Sequence, residues 1–150
     1  MSKVFIRYPT TIKIFSYETD LKLKPGQEIL VETDQTIEEG VIVKENNGIN
    51  KNEDIITLEE GTGQILRVLT AEDRLERTNL KKEARGFLIE ARQNVFRHTL
   101  KMEILDADLS FDQKKLTFYF SAPGRIDFRS LVTDLVKSFN KLIRLQQVGA

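Results

Sequence analysis

The segment Lys115-Leu116-Thr117-Phe118-Tyr119-Phe120-Ser121 alternates its side chains with period two. Leu116, Phe118 and Phe120 therefore share one face of a strand, and Thr117, Tyr119 and Ser121 share the other. Residues 102–112 just before it alternate in the same way. Gln113-Lys114 supplies the turn, so the two segments read as a β-hairpin. Ala122-Pro123-Gly124 ends the second strand, and Asp127 is placed to cap a helix. Phe128, Leu131, Val132, Leu135, Val136 and Phe139 then recur at helical spacing and form one apolar stripe. Residues 142–148 read as a closing strand.

Upstream of the hairpin, residues 64–69 read as a strand. Thr70 with Asp73 three residues later resembles a capping box, aspartate standing in for the usual glutamate. One long helix is expected from about residue 71 to about 99, reaching on the order of 40 Å at 1.5 Å per residue. Leu80, Ala84, Phe87, Leu88, Ala91 and Val95 fall on one of its faces, while its first turns, through Lys82, are mostly charged. From residue 64 the order is thus β-α-β-β-α-β, the split, ferredoxin-like arrangement, with both helices on one face of an antiparallel sheet.

The N-terminal half has a different rhythm. Short strands are expected at 4–8, 12–17, 28–33 and 41–44, with a turn at Lys24-Pro25-Gly26-Gln27. The asparagine-rich residues 45–54 read as a loop, 55–58 as one more strand, and 59–63 as a second flexible stretch. Several short strands spaced by turn residues suggest a small barrel or curled sheet. The expectation is an α+β chain with a β-rich, barrel-like domain at 1–60 and a ferredoxin-like domain at 61–150.

The chain has 150 residues, 40% of them apolar and 31% charged, as in globular proteins. It has no cysteine, which excludes disulfides, thiolate metal sites and thiol nucleophiles, and its single histidine excludes a multi-histidine metal centre. No apolar run approaches the roughly 18 residues of a membrane helix. Arg7 follows Met1 too closely for a secretory signal, so an intracellular, cytoplasmic and soluble protein is expected. The 23 basic and 23 acidic residues cancel overall, but residues 1–75 carry a net −5 and residues 76–150 a net +5. The basic half therefore permits an anionic partner, the competing reading being ordinary surface variation.

Four groups of residues carry candidate chemistry. Gly124-Arg125-Ile126-Asp127-Phe128-Arg129 stands at a helix start, where free N–H groups attract anions and where Arg125 and Arg129 offer forks for phosphate. The competing reading is structural: the glycine turns the chain, Asp127 caps, and an arginine pairs with a carboxylate. On the hairpin, Tyr119 with Arg144 nearby offers a platform for base stacking, although it is a single aromatic without the consensus motif of RNA-recognition domains; the competing reading is a face covered by the N-terminal barrel. On the long helix, Arg74, Arg77, Lys81, Lys82, Arg85, Arg92 and Arg97 are interleaved with Asp73, Glu76, Glu83 and Glu90, which reads as a solvated face of ion pairs, or else as partner docking on the projecting end with Arg74, Arg77, Lys81 and Lys82. Asp106 and Asp108, with Asp112 near the turn, are the best placed carboxylates for a magnesium-dependent reaction, although no phosphate-binding loop accompanies them. His98 reads as a partner of the helix dipole. Gly61-Thr62-Gly63 lacks the third glycine of a dinucleotide fingerprint.

Residues 109–132, centred on Gly124-Arg125-Ile126-Asp127-Phe128-Arg129, resemble the core of the polymerase-suppressor C-terminal domain family, which includes RicT-like bacterial proteins. Arg144-Leu145-Gln146-Gln147-Val148-Gly149, Leu69-Thr70-Ala71-Glu72-Asp73, the Pro25-Gly26 turn and Val31-Glu32-Thr33 also fit it, so the resemblance runs along nearly the whole chain. It implies a regulatory role. RicT-like proteins are adaptors in multi-protein complexes that direct messenger-RNA maturation by a membrane-tethered endoribonuclease, and they influence a developmental phosphorelay. Eukaryotic relatives include RNA-binding proteins. RicT-like proteins continue past the matching segment with cysteines implicated in an iron–sulfur cluster; these 150 residues hold no cysteine, so the resemblance carries no cofactor over to them. The expectation is a non-catalytic RNA-processing adaptor with protein partners. Direct RNA binding through the basic half is the alternative, and a magnesium-dependent phosphoryl-transfer or nuclease activity is the more distant one.

Overall fold

The structure is a computed structural model that describes residues 1–9, 13–44 and 58–148. The expected loop at 45–54 and the start of the strand at 55–58 lie outside the described residues. Two compact units result, Met1–Arg74 and Leu75–Ala150.

Proline and glycine build the first turn of the N-terminal unit as their backbone preferences require. Pro25 presets φ, Gly26 takes a φ of +91°, and the Gln27 N–H donates to the Lys24 carbonyl at 3.2 Å. The strands are β1 (Ser2–Arg7), β2 (Ile14–Thr19), β3 (Glu28–Glu32), β4 (Ile37–Val43), β5 (Leu58–Glu60) and β6 (Gln64–Val68). They form one mixed sheet in the order β5-β2-β1-β4-β3-β6. Among the described residues, β2 and β5 are the one parallel pair of this sheet. Ile6, Tyr17, Ile29, Val31, Ile42 and Ile65 form one buried cluster. Residues from β2 and from β6 meet in that cluster although the strands lie far apart in the sheet order, so the sheet curls around it. Among the described residues no ladder joins β5 to β6, and the curl is not closed by hydrogen bonds.

A polar chain crosses this core. The Tyr8 and Tyr17 hydroxyls are 2.7 Å apart, and Tyr17 donates onward to the Thr62 carbonyl at 3.2 Å. Burial, then the bond to Tyr17, pushes the Tyr8 phenol well above its ordinary pKa. Gly61 is required here, because a Cβ would stand 2.2 Å from the Tyr17 ring.

Strand β6 corrects the expected architecture. It belongs to the N-terminal sheet, antiparallel to β3, with Leu30 opposite Arg67 and Val31 opposite Ile65. Gly63 makes the approach possible, since its φ is +93° and any Cβ would collide with the Glu32 carbonyl. Glu59 and Glu60, expected in a flexible stretch, lie in β5. The division between units therefore falls past the boundary expected near residue 60.

The second unit holds β7 (Glu103–Leu109), β8 (Lys115–Ser121) and β9 (Leu142–Gln147) in that order. The hairpin β7–β8 is antiparallel, as its alternation predicts. In a ferredoxin-like sheet the strand at 64–69 would separate β8 from β9. Here β8 and β9 are direct, parallel neighbours joined through a helix, and among the described residues the sheet has three strands. The chain is thus α+β, but its second unit lacks the strand the ferredoxin-like reading assigned to it.

The expected long helix is two helices, α1 (Ala71–Arg85) and α2 (Leu88–Arg97). The break is at Gly86, a poor helix former. Its N–H is shared between the carbonyls of Lys82 and Glu83, each at 3.1 Å, and the Phe87 N–H reaches back only to Ala84. The apolar spacing survives the break. Ala84, Ala91 and Val95 are buried with Leu116, Phe118 and Phe120 of β8 and with Leu131 and Leu135 of α3 (Arg129–Phe139). Phe139 stacks against Phe87 and Phe118 at ring-centroid distances of 5.0 and 5.9 Å.

Candidate functional site

The face of the second sheet opposite this core is polar, and the β7 register explains how its side chains meet. The ladder shifts between Ile104 and Asp106, so Leu105 drops out of the alternation and two cross-strand rows form. Asp106 lies opposite Tyr119, which lies opposite Gln146. Asp108 lies opposite Thr117, which lies opposite Arg144. Arg144 donates to the Gln146 amide oxygen at 3.0 Å. Thr117 is only 2% exposed.

Helix α1 reaches this face at the free edge of β7. The Lys81 ammonium donates to Asp106 and to Asp108, both at 2.8 Å, and to the Ala107 carbonyl at 2.9 Å. Arg85 adds a bond to Asp106 at 3.2 Å, and Arg92 of α2 donates to the Ile104 carbonyl at 3.0 Å. Lys81 and Arg92 thereby occupy outward carbonyls of an edge strand, a position where unpaired backbone groups otherwise invite another strand. Burial raises the Asp106 carboxyl, but Lys81, the Ala107 N–H and Arg85 together bring it below its ordinary pKa. Tyr119 moves the opposite way. Burial, the charge of Asp108 and a hydrogen bond to that carboxylate push its phenol well above the ordinary value.

The residues singled out from sequence separate into different settings. Tyr119 and Arg144 do share one face, but Tyr119 stands between two carboxylates and is not an open stacking platform. Arg125 and Arg129 lie on the connection from β8 to α3. Asp127 accepts from the Arg129 backbone N–H at 3.3 Å and from its guanidinium at 2.9 and 2.8 Å. That fork holds the Asp127 carboxyl down to about 2. Of the structural reading, the ion pair is present between Arg129 and Asp127, but the cap is not: the N-cap position of α3 is Phe128, and no side chain caps it. An added Cβ at Gly124 would meet only open space. Arg125 is exposed.

The four basic residues proposed for partner docking are not one free patch. Arg74 lies 3.4 Å from Glu28 in the N-terminal unit, Lys81 is held by the β7 carboxylates, Arg77 is half-buried and engaged, and Lys82 is exposed. The carboxylate trio also divides, because Asp112 accepts from Ser110 at 2.8 Å inside the hairpin turn. Among the described residues no three His, Cys, Asp or Glu side chains gather as a metal requires. His98 caps the C-terminus of α2 and lies 2.6 Å from Asp134 of α3, fastening the two helices. No helix among the described residues is long and apolar enough to cross a membrane.

The model of the PSP1 C-terminal conserved region matches residues 63–148, from the start of β6 to just past β9. The chain belongs to the PSP1 C-terminal family. It is 30% identical over 145 residues to the stage 0 sporulation protein YaaT of Bacillus subtilis, covering 96% of this chain and 51% of that protein. It is 38% identical over 109 residues to an uncharacterised protein of Schizosaccharomyces pombe, covering 68% of this chain and 14% of the relative. Protein PSP1 of Saccharomyces cerevisiae is 46% identical over 46 residues, 31% of this chain and 6% of the yeast protein. The chain therefore spans about half of YaaT and a small part of the fungal proteins. No solved structure matches it.

Proposed function

We propose that this chain is a non-catalytic regulatory adaptor that works through protein contacts in a cytoplasmic complex for RNA processing. The relation to YaaT, named for a stage of sporulation, supports a regulatory role. The observation that carries the non-catalytic reading is the seating of Lys81. One ammonium already bonds both carboxylates best placed to hold magnesium. A metal at that position has to displace an internal cation and leave the Ala107 carbonyl unpaired.

Direct RNA contact is the second reading. The exposed guanidinium groups of Arg125 and Arg144 favour it, and the carboxylates beside Tyr119 oppose it. A tagged pull-down divided into nuclease-treated and untreated halves separates the two. Partners that persist after nuclease support the adaptor. If they all vanish, RNA bridges them, and Arg125→Ala should then weaken a salt-sensitive RNA complex. Magnesium-dependent turnover abolished by Asp106→Ala would overturn the non-catalytic reading.

A further inference from the structure

Helix α2 presents two opposed faces. Ala91, Asn94 and Val95 turn inward and are buried. On the opposite stripe stand Ile89 and Phe96, seven residues apart and therefore one above the other, 70% and 83% exposed. Single exposed apolar residues are common, but an aromatic and a branched aliphatic aligned on the solvent stripe of a packed helix are not required by the fold. With Arg92, Gln93 and Arg97 they line an open depression of about 480 Å³. The core lies on the other side of the helix, so no adjustment within this packing buries them.

We propose that this stripe is the docking surface for the partner of the adaptor reading, on which the proposal rests, and that the partner presents an acidic amphipathic helix. Ile89 and Phe96 supply adjacent apolar anchors at the spacing by which helices pack in grooves. Arg92 and Arg97 flank them on either side of the stripe, and carboxylates on the incoming helix complement that rim. Arg92 spends its Nε on Ile104 and Arg97 one terminal nitrogen on Asn94, so both guanidinium groups are oriented by the fold while keeping other donors. A second copy of this chain fits poorly, because two-fold pairing of the stripe gathers Arg92 and Arg97 of both copies around one apolar seam. The aliphatic Ile89 beside the ring favours a protein anchor over a stacked base.

Two synthetic helical peptides test this, each with leucines at i, i+4 and i+7, one flanked by glutamates and the other by lysines. Fluorescence anisotropy should show saturable binding of the glutamate peptide, weakened by salt and by about tenfold or more in Phe96→Ser. Arg92→Glu with Arg97→Glu should transfer the preference to the lysine peptide. Because Phe96 is exposed, Phe96→Ser should melt like the wild type, so lost binding is not lost folding. Equal binding of both peptides overturns the proposal, as does glutamate-peptide binding unchanged by Phe96→Ser. An oligouridine that binds more tightly than either peptide and loses affinity in Phe96→Ser assigns the stripe to RNA instead. Dimerisation abolished by Phe96→Ser assigns it to a second copy. The pull-down keeps the two readings apart. Nuclease-resistant partners retained by Phe96→Ser sink this surface and leave the adaptor standing, whereas loss of every partner on nuclease sinks the adaptor, and the peptides then judge the surface alone.

Discussion

Helices α1 and α3 both begin beside an arginine–aspartate fork, yet the two forks do different work. At α1, Thr70 and Asp73 cap reciprocally. The Asp73 N–H donates to the Thr70 hydroxyl at 3.1 Å, and the Thr70 N–H donates to the Asp73 carboxylate at 2.8 Å. Arg67 of β6 bonds both oxygens of that carboxylate; the Asp73 side chain is 8% exposed and that of Arg67 48%. At α3 the same pair of residue types, Asp127 and Arg129, sits two residues apart in open solvent with side chains 66% and 89% exposed. The first fork ties a strand to a helix, whereas the second joins neighbours that the chain already holds together. Geometry alone makes them look alike, and burial and sequence separation distinguish them.

The sharpest test of that contrast is Asp73→Ala. It removes a cap and two charge-assisted bonds and should cost about 2 kcal/mol in denaturant unfolding. Acid should expose the same group. Arg67 first, then the Thr70 N–H, holds the Asp73 carboxyl below its ordinary range. Its stabilisation is thus complete above the unfolded value of about 3.9 and is lost as pH falls toward the lower folded value. The melting temperature of the wild type should drop as pH falls below about 4, and Asp73→Asn should flatten that acid limb.

Lys81→Met asks whether a fork built across elements from a lysine behaves like the α1 pair. It keeps the aliphatic stem but strips two carboxylates and a carbonyl of their donor, at an expected cost of about 1.5 kcal/mol. The Asp106 carboxyl, followed by NMR, should rise toward its ordinary pKa. An unchanged titration would place Lys81 elsewhere in solution.

Helix ends extend the comparison. Helix α2 closes with Thr99 at φ 53°, its N–H bonded to Phe96 and that of Leu100 to Val95. Helix α3 closes with Asn140 at φ 52°. Asparagine tolerates this left-handed region and a β-branched residue does not. Thr99→Gly should therefore gain about 1 kcal/mol, with Asn140→Gly nearly silent. The smallest effect belongs to the exposed fork: Asp127→Ala should melt indistinguishably from the wild type. A large loss there would mean that α3 depends on its fork as α1 does.

Local chemistry made much of this protein legible in one dimension. The period-two run at 115–121 is β8 with its bounds unchanged, the Thr70–Asp73 box is present, Pro25-Gly26 turns as expected, and the apolar stripe of α3 buries Leu131 and Leu135. Each depends on residues within a few positions of one another. The candidate site was legible only in its parts. The alternation placed Tyr119 and Arg144 on one face, but nothing near Lys81 in sequence announces its bonds to Asp106 and Asp108, more than twenty residues away. Ile89 and Phe96 were visible as apolar residues off the helix's core face, a signal that only exposure makes meaningful.

The sequence by itself determined the type of most elements and which of their faces are apolar, because those properties follow from backbone preference and side-chain period. Their bounds it placed less well, since the strands expected at 12–17 and 41–44 are Ile14–Thr19 and Ile37–Val43. Tertiary structure decided which strand lies beside which. A strand at 64–68 has the same alternation whether it separates β8 from β9 or pairs with β3. Its place was settled by the close approach that Gly63 permits to the Glu32 carbonyl and by the burial of Ile65 among residues far away in the chain. The same long-range packing left β8 and β9 in direct parallel contact.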